Sequence, residues 1–444
     1  MAISTRLQRT DQLARPKGKA GSGARVSLAG ESLTPDRPLR IGLLSYRSNP
    51  YSGGQGIYIH YLSQALQQLG HQVDVIAGEP YPELAPGVGF VPLPGMNLYA
   101  YDTVRAAVRD RGLSSLTDAL ECLSYISGGF PEPQAFGRRL IQRLGDRLAG
   151  YDIIHDNQSL CYGLLDLRTK GLPVVTTIHH PITKDLRLAL QNEPEWGMRL
   201  LIKRWHSFLS MQKKVAAKLP SILTVSEASK RDIAQDFHID SERIEVVPNG
   251  VDIETFRPYP DIQPHPWRIM SAASADVPLK GLSYLLRALA SLVGEFPDLE
   301  LAVLGQAKAR GRTSRLIDEL GLGRRVRFLN GLSSEQLARE YASSAVAVIP
   351  SLYEGFGLPA AEAMASGVPV VATTGGALPE VVGDAGILVP PGDETALSGA
   401  IRKLLLDPCL RQCLGRDGRR RMQELFTWRQ CAQRTVEAYR RAMP

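Results

Sequence analysis

The sequence predicts an α/β protein built from two doubly wound domains. Three observations carry this expectation. The 444-residue length suits two domains of ordinary size better than one. Short β-rich runs alternate with longer helical patterns from Leu39 onward. Several of those runs are almost continuously apolar, as parallel strands buried on both faces must be.

In the first half the strand candidates are RIGLLS (40–45), QVDVIAG (72–78), DIIHD (152–156), VVTTIH (174–179) and ILTVS (222–226). The helical pattern IYIHYLSQALQQLG (57–70) follows the first of them and ends on Gly70, a residue suited to stopping a helix. The second half repeats the grammar with RIEVVP (243–248), RIMSAA (268–273), LELAVLG (299–305), RVRFLN (325–330), AVAVIP (345–350), PVVATT (369–374) and GILVP (386–390). We expect a disordered basic tail over 1–37, an acceptor-side Rossmann-like domain over 38–240 and a second Rossmann-like domain over 241–425. An amphipathic helix over 426–444 is expected to pack back on the first domain. One connection is anomalous: about sixty residues separate Val91 from Asp152, far above the usual few. They could build a substrate wall or simply add helices.

Composition narrows the function classes. With 44% hydrophobic and 22% charged residues the chain resembles an ordinary globular protein. It has no apolar run of bilayer length and no signal-peptide core, so a cytoplasmic location is expected. The formal charge is +7, but the first 37 residues hold seven basic against three acidic side chains. The remainder is only mildly basic and gives no reason to expect nucleic acid as a partner. Five cysteines without a C-x-x-C pair argue against zinc or a disulfide framework. The stretch MRLLIKRWHSFLSMQKKVAAK (198–218) has an apolar stripe among basic residues. A core-facing stripe is the commoner arrangement, and peripheral contact with a membrane surface is the alternative.

Chemistry concentrates in PSLYEGFGLPAAEAMASGVP (350–369). It follows a buried strand, at the strand end where open α/β sheets bind ligands. Gly355 and Gly357 allow close backbone approach, and Pro359 suits a helix start. Glu354 and Glu362 stand eight positions apart around this turn, Glu362 in the opening turn of the helix. Carboxylates accept hydrogen bonds from vicinal sugar hydroxyls, while the neighbouring N–H groups suit phosphate.

The segment YEGFGLPAAEAMASGVPVVATTGGALPEVVG (353–383) resembles the E-x7-E signature of the retaining glycosyltransferases of family 4, which have the GT-B fold. VPNGVD (247–252), LKGLSYLLRAL (279–289), VRFLNGLSSEQLARE (326–340) and ILVPPGDETAL (387–397) resemble the same family in the same order. The resemblance implies two Rossmann-like domains facing a cleft, with a nucleotide diphosphate-sugar (UDP- or GDP-linked) on the second. It implies a metal-independent hexosyltransferase with no cofactor, in keeping with the lack of a D-x-D triplet. Glu362 would hold the ribose hydroxyls, Glu354 the donor sugar, and the backbone of Gly355, Phe356 and Gly357 the rest of the donor. Lys280 would neutralise the diphosphate. In the first domain Gly53, Gly54 and Gly56 match the family's glycine-rich loop, and His179 matches a histidine near the reaction centre. Ser226 matches a family serine, with a helix cap as the alternative role.

One departure stands out. The family usually carries an arginine five or six positions before the lysine, where this chain has Ala275 and Ser274. Lys308, Arg310 or Arg312 is the expected substitute. A weak or silent sugar-nucleotide-binding protein is the alternative reading. A nicotinamide dehydrogenase is disfavoured, because the glycines come about eight residues after the first strand. Glycan, lipid-linked and small-molecule acceptors are all open, and the sequence names neither sugar, base nor oligomeric state.

Overall fold

Parallel strands of Val, Ile, Leu and Ala run through both halves of the computed structural model. It describes residues 37–49, 54–191, 193–273 and 275–443. All of the expected basic tail but Arg37 lies outside the described residues, as do Gly53 and Ser274.

The first sheet contains β1 (Arg40–Ser45), β2 (Gln72–Ala77), β3 (Gly89–Pro92), β4 (Ile153–Asn157), β5 (Val174–Ile178), β6 (Ile222–Thr224) and β7 (Ile244–Val246). Their order is β3-β2-β1-β4-β5-β6-β7, and every pairing is parallel. The second sheet contains β8 (His265–Ser271), β9 (Glu300–Leu304), β10 (Val326–Leu329), β11 (Ser344–Ile349), β12 (Val370–Thr373) and β13 (Ile387–Val389). Its order is β10-β9-β8-β11-β12-β13, again parallel throughout. Strand order reverses between β1 and β4 in one sheet and between β8 and β11 in the other. A crevice opens at such a switch point, beyond the C-terminal strand ends.

The segment RIEVVP does not open the second array. Ile244–Val246 pairs in parallel with β6, Ile222 opposite Ile244, and so closes the first sheet. A three-residue apolar strand has no pattern that says which sheet it joins. The chain then crosses at Val247–Asp252 and returns at Phe426–Thr427. The crossings lie side by side: Val251 N–H donates to the Phe426 carbonyl at 2.8 Å, and Val251 bridges to Thr427. Gly250 permits this approach, since a Cβ there would stand 2.2 Å from the Trp428 nitrogen.

After the return, the helix Trp428–Ala442 packs on the first domain. Trp428, Ala432, Val436 and Tyr439 share a core with Ile41, Leu43, Tyr58 and Leu62. Its start is capped reciprocally by Thr427 and Gln430. The stripe over 198–218 is divided. Phe208, Met211 and Val215 are buried, whereas the helix Trp196–Trp205 buries none of its side chains. Among the described residues no helix is long and apolar enough to cross a membrane. The long connection after β3 forms the helices Val104–Arg111, Leu116–Ile126 and Glu132–Leu144.

Candidate active site

The loop after β11 is built around Glu354. The residue is 8% exposed, and one carboxylate oxygen accepts from both Ser351 Oγ at 2.7 Å and Lys280 Nζ at 2.8 Å. The lysine arrives from the other side of the switch point, in the turn Pro278–Lys280 after β8. Gly281 fixes that arrival. Its φ is +66°, and a Cβ would lie 2.0 Å from the Pro350 carbonyl oxygen, so the turn rests directly on the end of β11.

Phe356 is buried and meets Phe426 edge-to-face at 5.8 Å. Its ring belongs to the core, which leaves only its backbone for a ligand. Gly357, at φ +101°, leads into the helix Leu358–Ala365. Glu362 is therefore in the second turn of that helix, not the first. It keeps partial exposure beside the Tyr341 hydroxyl, which donates to the Pro359 carbonyl at 3.4 Å. Burial pushes its carboxyl up to about 8. Burial raises the Tyr61 hydroxyl on the first-domain helix Gly54–Gln68, with Asp252 and, less strongly, Glu362 adding to it, so Glu362 is not remote from the other domain.

In the first domain, Gly54 and Gly56 lie at the start of the helix Gly54–Gln68. Gly56 packs so closely that a Cβ would fall 2.1 Å from the Asn49 carbonyl oxygen, whereas Gly54 is open. His179 follows β5. Its Nε2 is 2.7 Å from Asn157 Oδ1, and its ring meets Tyr58 edge-to-face at 4.6 Å. Asn157 Nδ2 donates to the Gln55 carbonyl at 3.3 Å, which turns Oδ1 toward the imidazole. The proton therefore sits on Nε2, and Nδ1 remains an acceptor. Burial, with His180 and His155 nearby, pulls His179 down to about 3, so the ring is neutral.

The two domains touch through the glutamate loop itself. The Gly355 carbonyl accepts from Ser226 Oγ at 2.7 Å and Ser229 Oγ at 3.1 Å. Ser226 also accepts from Ser229 N–H, so it caps its helix and bridges the domains together. Glu380 accepts from the backbone N–H groups of Glu227 and Ala228 at 2.8 and 2.7 Å, at that helix's N-terminus. Tyr353 donates to Asp232 at 2.8 Å, and the Lys184 ammonium lies 4.1 Å from the Tyr353 ring centre. Sequence reading missed Asn157, Ser229, Asp232 and Glu380. Only Glu380, in the helix start ALPEVV, carried a local hint.

The structure thus brings Lys280, Glu354, Gly355 and His179 together, with Glu362 on the following helix. The expected substitute cations are less tightly placed. Asp276 holds their loop by accepting from Lys308 N–H at 3.1 Å and Thr313 N–H at 3.0 Å. Lys308, Arg310 and Arg312 are exposed. Among the described residues no cluster of three or more His, Cys, Asp or Glu is placed to hold a metal ion.

Two doubly wound sheets with this charge arrangement at the second switch point define a glycosyltransferase of the GT-B fold. The chain belongs to glycosyltransferase family 4. Residues 52–255 match Glycosyltransferase Family 4 and residues 254–421 match Glycosyl transferases group 1. The chain is 45% identical to the MMP alpha-(1->4)-mannosyltransferase of Mycolicibacterium hassiacum, over 91% of this chain and 98% of that one. It is 28% identical to the D-inositol 3-phosphate glycosyltransferase of a Nocardioides species, over 91% and 90% respectively. Among solved structures it is similar to sucrose-phosphate synthase from Thermosynechococcus elongatus, with a TM-score of 0.68 and 25% identity over 90% of this chain and 98% of that one. The fold is also shared with Anabaena Alr3699/HepE in complex with UDP-glucose, with a TM-score of 0.62 and 18% identity over 91% and 100%.

Proposed function

We propose that the protein transfers a mannosyl group from a nucleoside diphosphate-sugar to a hydroxyl of a glycan acceptor, with retention of anomeric configuration. The observation that carries this reading is the convergence of Lys280 and Glu354 at the β8/β11 switch point, beside Gly355 and His179. The choice of mannose leans on the 45% identical relative, a mannosyltransferase by name. A nucleoside diphosphate-sugar as donor accords with the UDP-glucose complex of a protein of the same fold.

In this reading Glu362 accepts from the ribose diol. The Phe356 and Gly357 N–H groups and the Lys280 ammonium take the diphosphate. An ammonium has three N–H donors, so Lys280 serves Glu354 and a phosphate oxygen at once. Glu354 and the neutral His179 accept from sugar hydroxyls. The leaving phosphate oxygen takes the acceptor proton during same-face attack, so no side chain acts as nucleophile. Charge building on the departing diphosphate is met by preplaced donors, the largest catalytic contribution available here.

A panel of GDP- and UDP-sugars, followed by thermal shift and released nucleoside diphosphate, tests the reading. One donor should raise the melting temperature most and release its nucleotide faster with a mannoside acceptor present. No stabilisation by any donor would contradict it. Ala275, in place of a cationic partner, favours a second reading, a protein that binds the donor without turnover. Tight binding with no release across the acceptor panel would support that one.

A further inference from the structure

The long excursion after β3 contributes a second polar site at the same strand ends as His179. A cavity of about 20 Å³ lies there, lined by Tyr46 after β1, Gly78 after β2, Asn97, Glu132, Phe136 and Arg139 among others. That volume holds a single hydroxyl group or water. Arg139 is 3% exposed, and its Nε has no hydrogen-bond partner although the residue lines the cavity. Glu121 and Glu132 supply acceptors beside it. A hydroxyl fits both needs, since its oxygen accepts from Nε–H while its hydrogen goes to a carboxylate.

The cavity adjoins residues that lead to the candidate reaction centre. Tyr46 lines it beside Gln55, the Gln55 carbonyl accepts from Asn157, and Asn157 holds His179. Its charged groups already have partners. Arg47 pairs with Glu132 at 3.3 Å, Arg111 with Glu79 at 2.9 Å, and Arg139 with both Asp118 at 2.6 Å and Glu121. Of the charged side chains that line the cavity itself, Arg139 stands against Glu79, Glu121 and Glu132. A phosphate entering here would meet more carboxylates than guanidinium groups among the described lining residues.

We propose that this cavity anchors a hydroxyl of the acceptor, and that the acceptor is an uncharged sugar rather than a phosphorylated polyol. The proposal rests on the transferase reading above and names the substrate class for it.

The test uses the full chain, the donor selected by the panel, and two acceptor probes: methyl α-D-mannopyranoside and D-myo-inositol 3-phosphate. The mannoside should accelerate nucleotide release at least tenfold over donor alone, and the inositol phosphate should not. E132Q should raise the KM for the mannoside at least tenfold without changing the donor-induced melting shift. N97G should do likewise; it removes the side chain at a left-handed position, φ +46°, that glycine tolerates. Equal acceleration by the inositol phosphate, or a wild-type KM in both variants, would overturn the proposal. Absence of any donor-induced shift would instead overturn the transferase reading, and is seen before an acceptor is added.

Discussion

Lys280 Nζ and Glu354 Oε1 are 2.8 Å apart across the β8/β11 switch point, although 74 residues separate them in the chain. The carboxylate is nearly enclosed, while the lysine side chain keeps 29% of its surface open. The pair is thus preset, with spare N–H groups on the ammonium for an incoming anion.

Removing the ammonium should cost both folding and turnover. K280M should lower kcat/KM about 10²–10³-fold, as loss of one preplaced charge-stabilising donor does. It should also lower the melting temperature, because Glu354 loses its counter-charge. Adding E354Q to K280M should restore much of the stability but none of the activity. Steady-state kinetics and thermal denaturation of the three variants check this.

Glu362 predicts a pH-dependent stability. Its folded value of about 8 stands above the ordinary 4.5, so the folded protein holds a proton that the unfolded chain has released. Stability therefore falls as pH rises from about 5 to about 8. Gln mimics the protonated acid. E362Q should match the wild-type melting temperature near pH 5 and exceed it increasingly up to pH 8. A constant difference across that range would contradict the assignment.

Ser229 gives the cleanest probe of the contact between domains. Its hydroxyl lies 3.1 Å from the carbonyls of both Gly355 and His179, which share its one proton, while the helix cap belongs to Ser226. S229A should weaken closure by about 1 kcal/mol, the net worth of a neutral hydrogen bond. We expect a rise in donor hydrolysis relative to transfer, because a looser cleft admits water. Product analysis by chromatography measures that ratio.

Gly281 should tolerate no side chain. G281A places a methyl against the Pro350 carbonyl and demands a left-handed backbone of an alanine. The strain alone is about 1–3 kcal/mol. The variant should unfold at lower denaturant concentration and lose activity with it, since the Lys280 turn is displaced.

Legibility in the sequence followed the range of each interaction. The Glu354–Glu362 loop was readable because strand, glycines, proline and helix are contiguous, and each has a local conformational cause. Lys280 was readable beside Gly281 for the same reason. The alliance of Ser229 with Gly355 joins residues 126 positions apart, and that of Glu380 with Ala228 joins residues 152 apart. No periodicity encodes such contacts. Ile244–Val246 was placed on the wrong side because three apolar residues fit either sheet. The split of the 198–218 stripe arose from the short turn His206–Phe208, which interrupts a pattern that looks continuous in sequence.

Calorimetric titration of the panel-selected donor into the wild-type protein and E362A tests the central claim most directly. If Glu362 holds the ribose diol, the wild type binds a single equivalent and E362A binds at least tenfold more weakly, a loss of about 1.4 kcal/mol. Equal affinity in the two proteins would contradict the account.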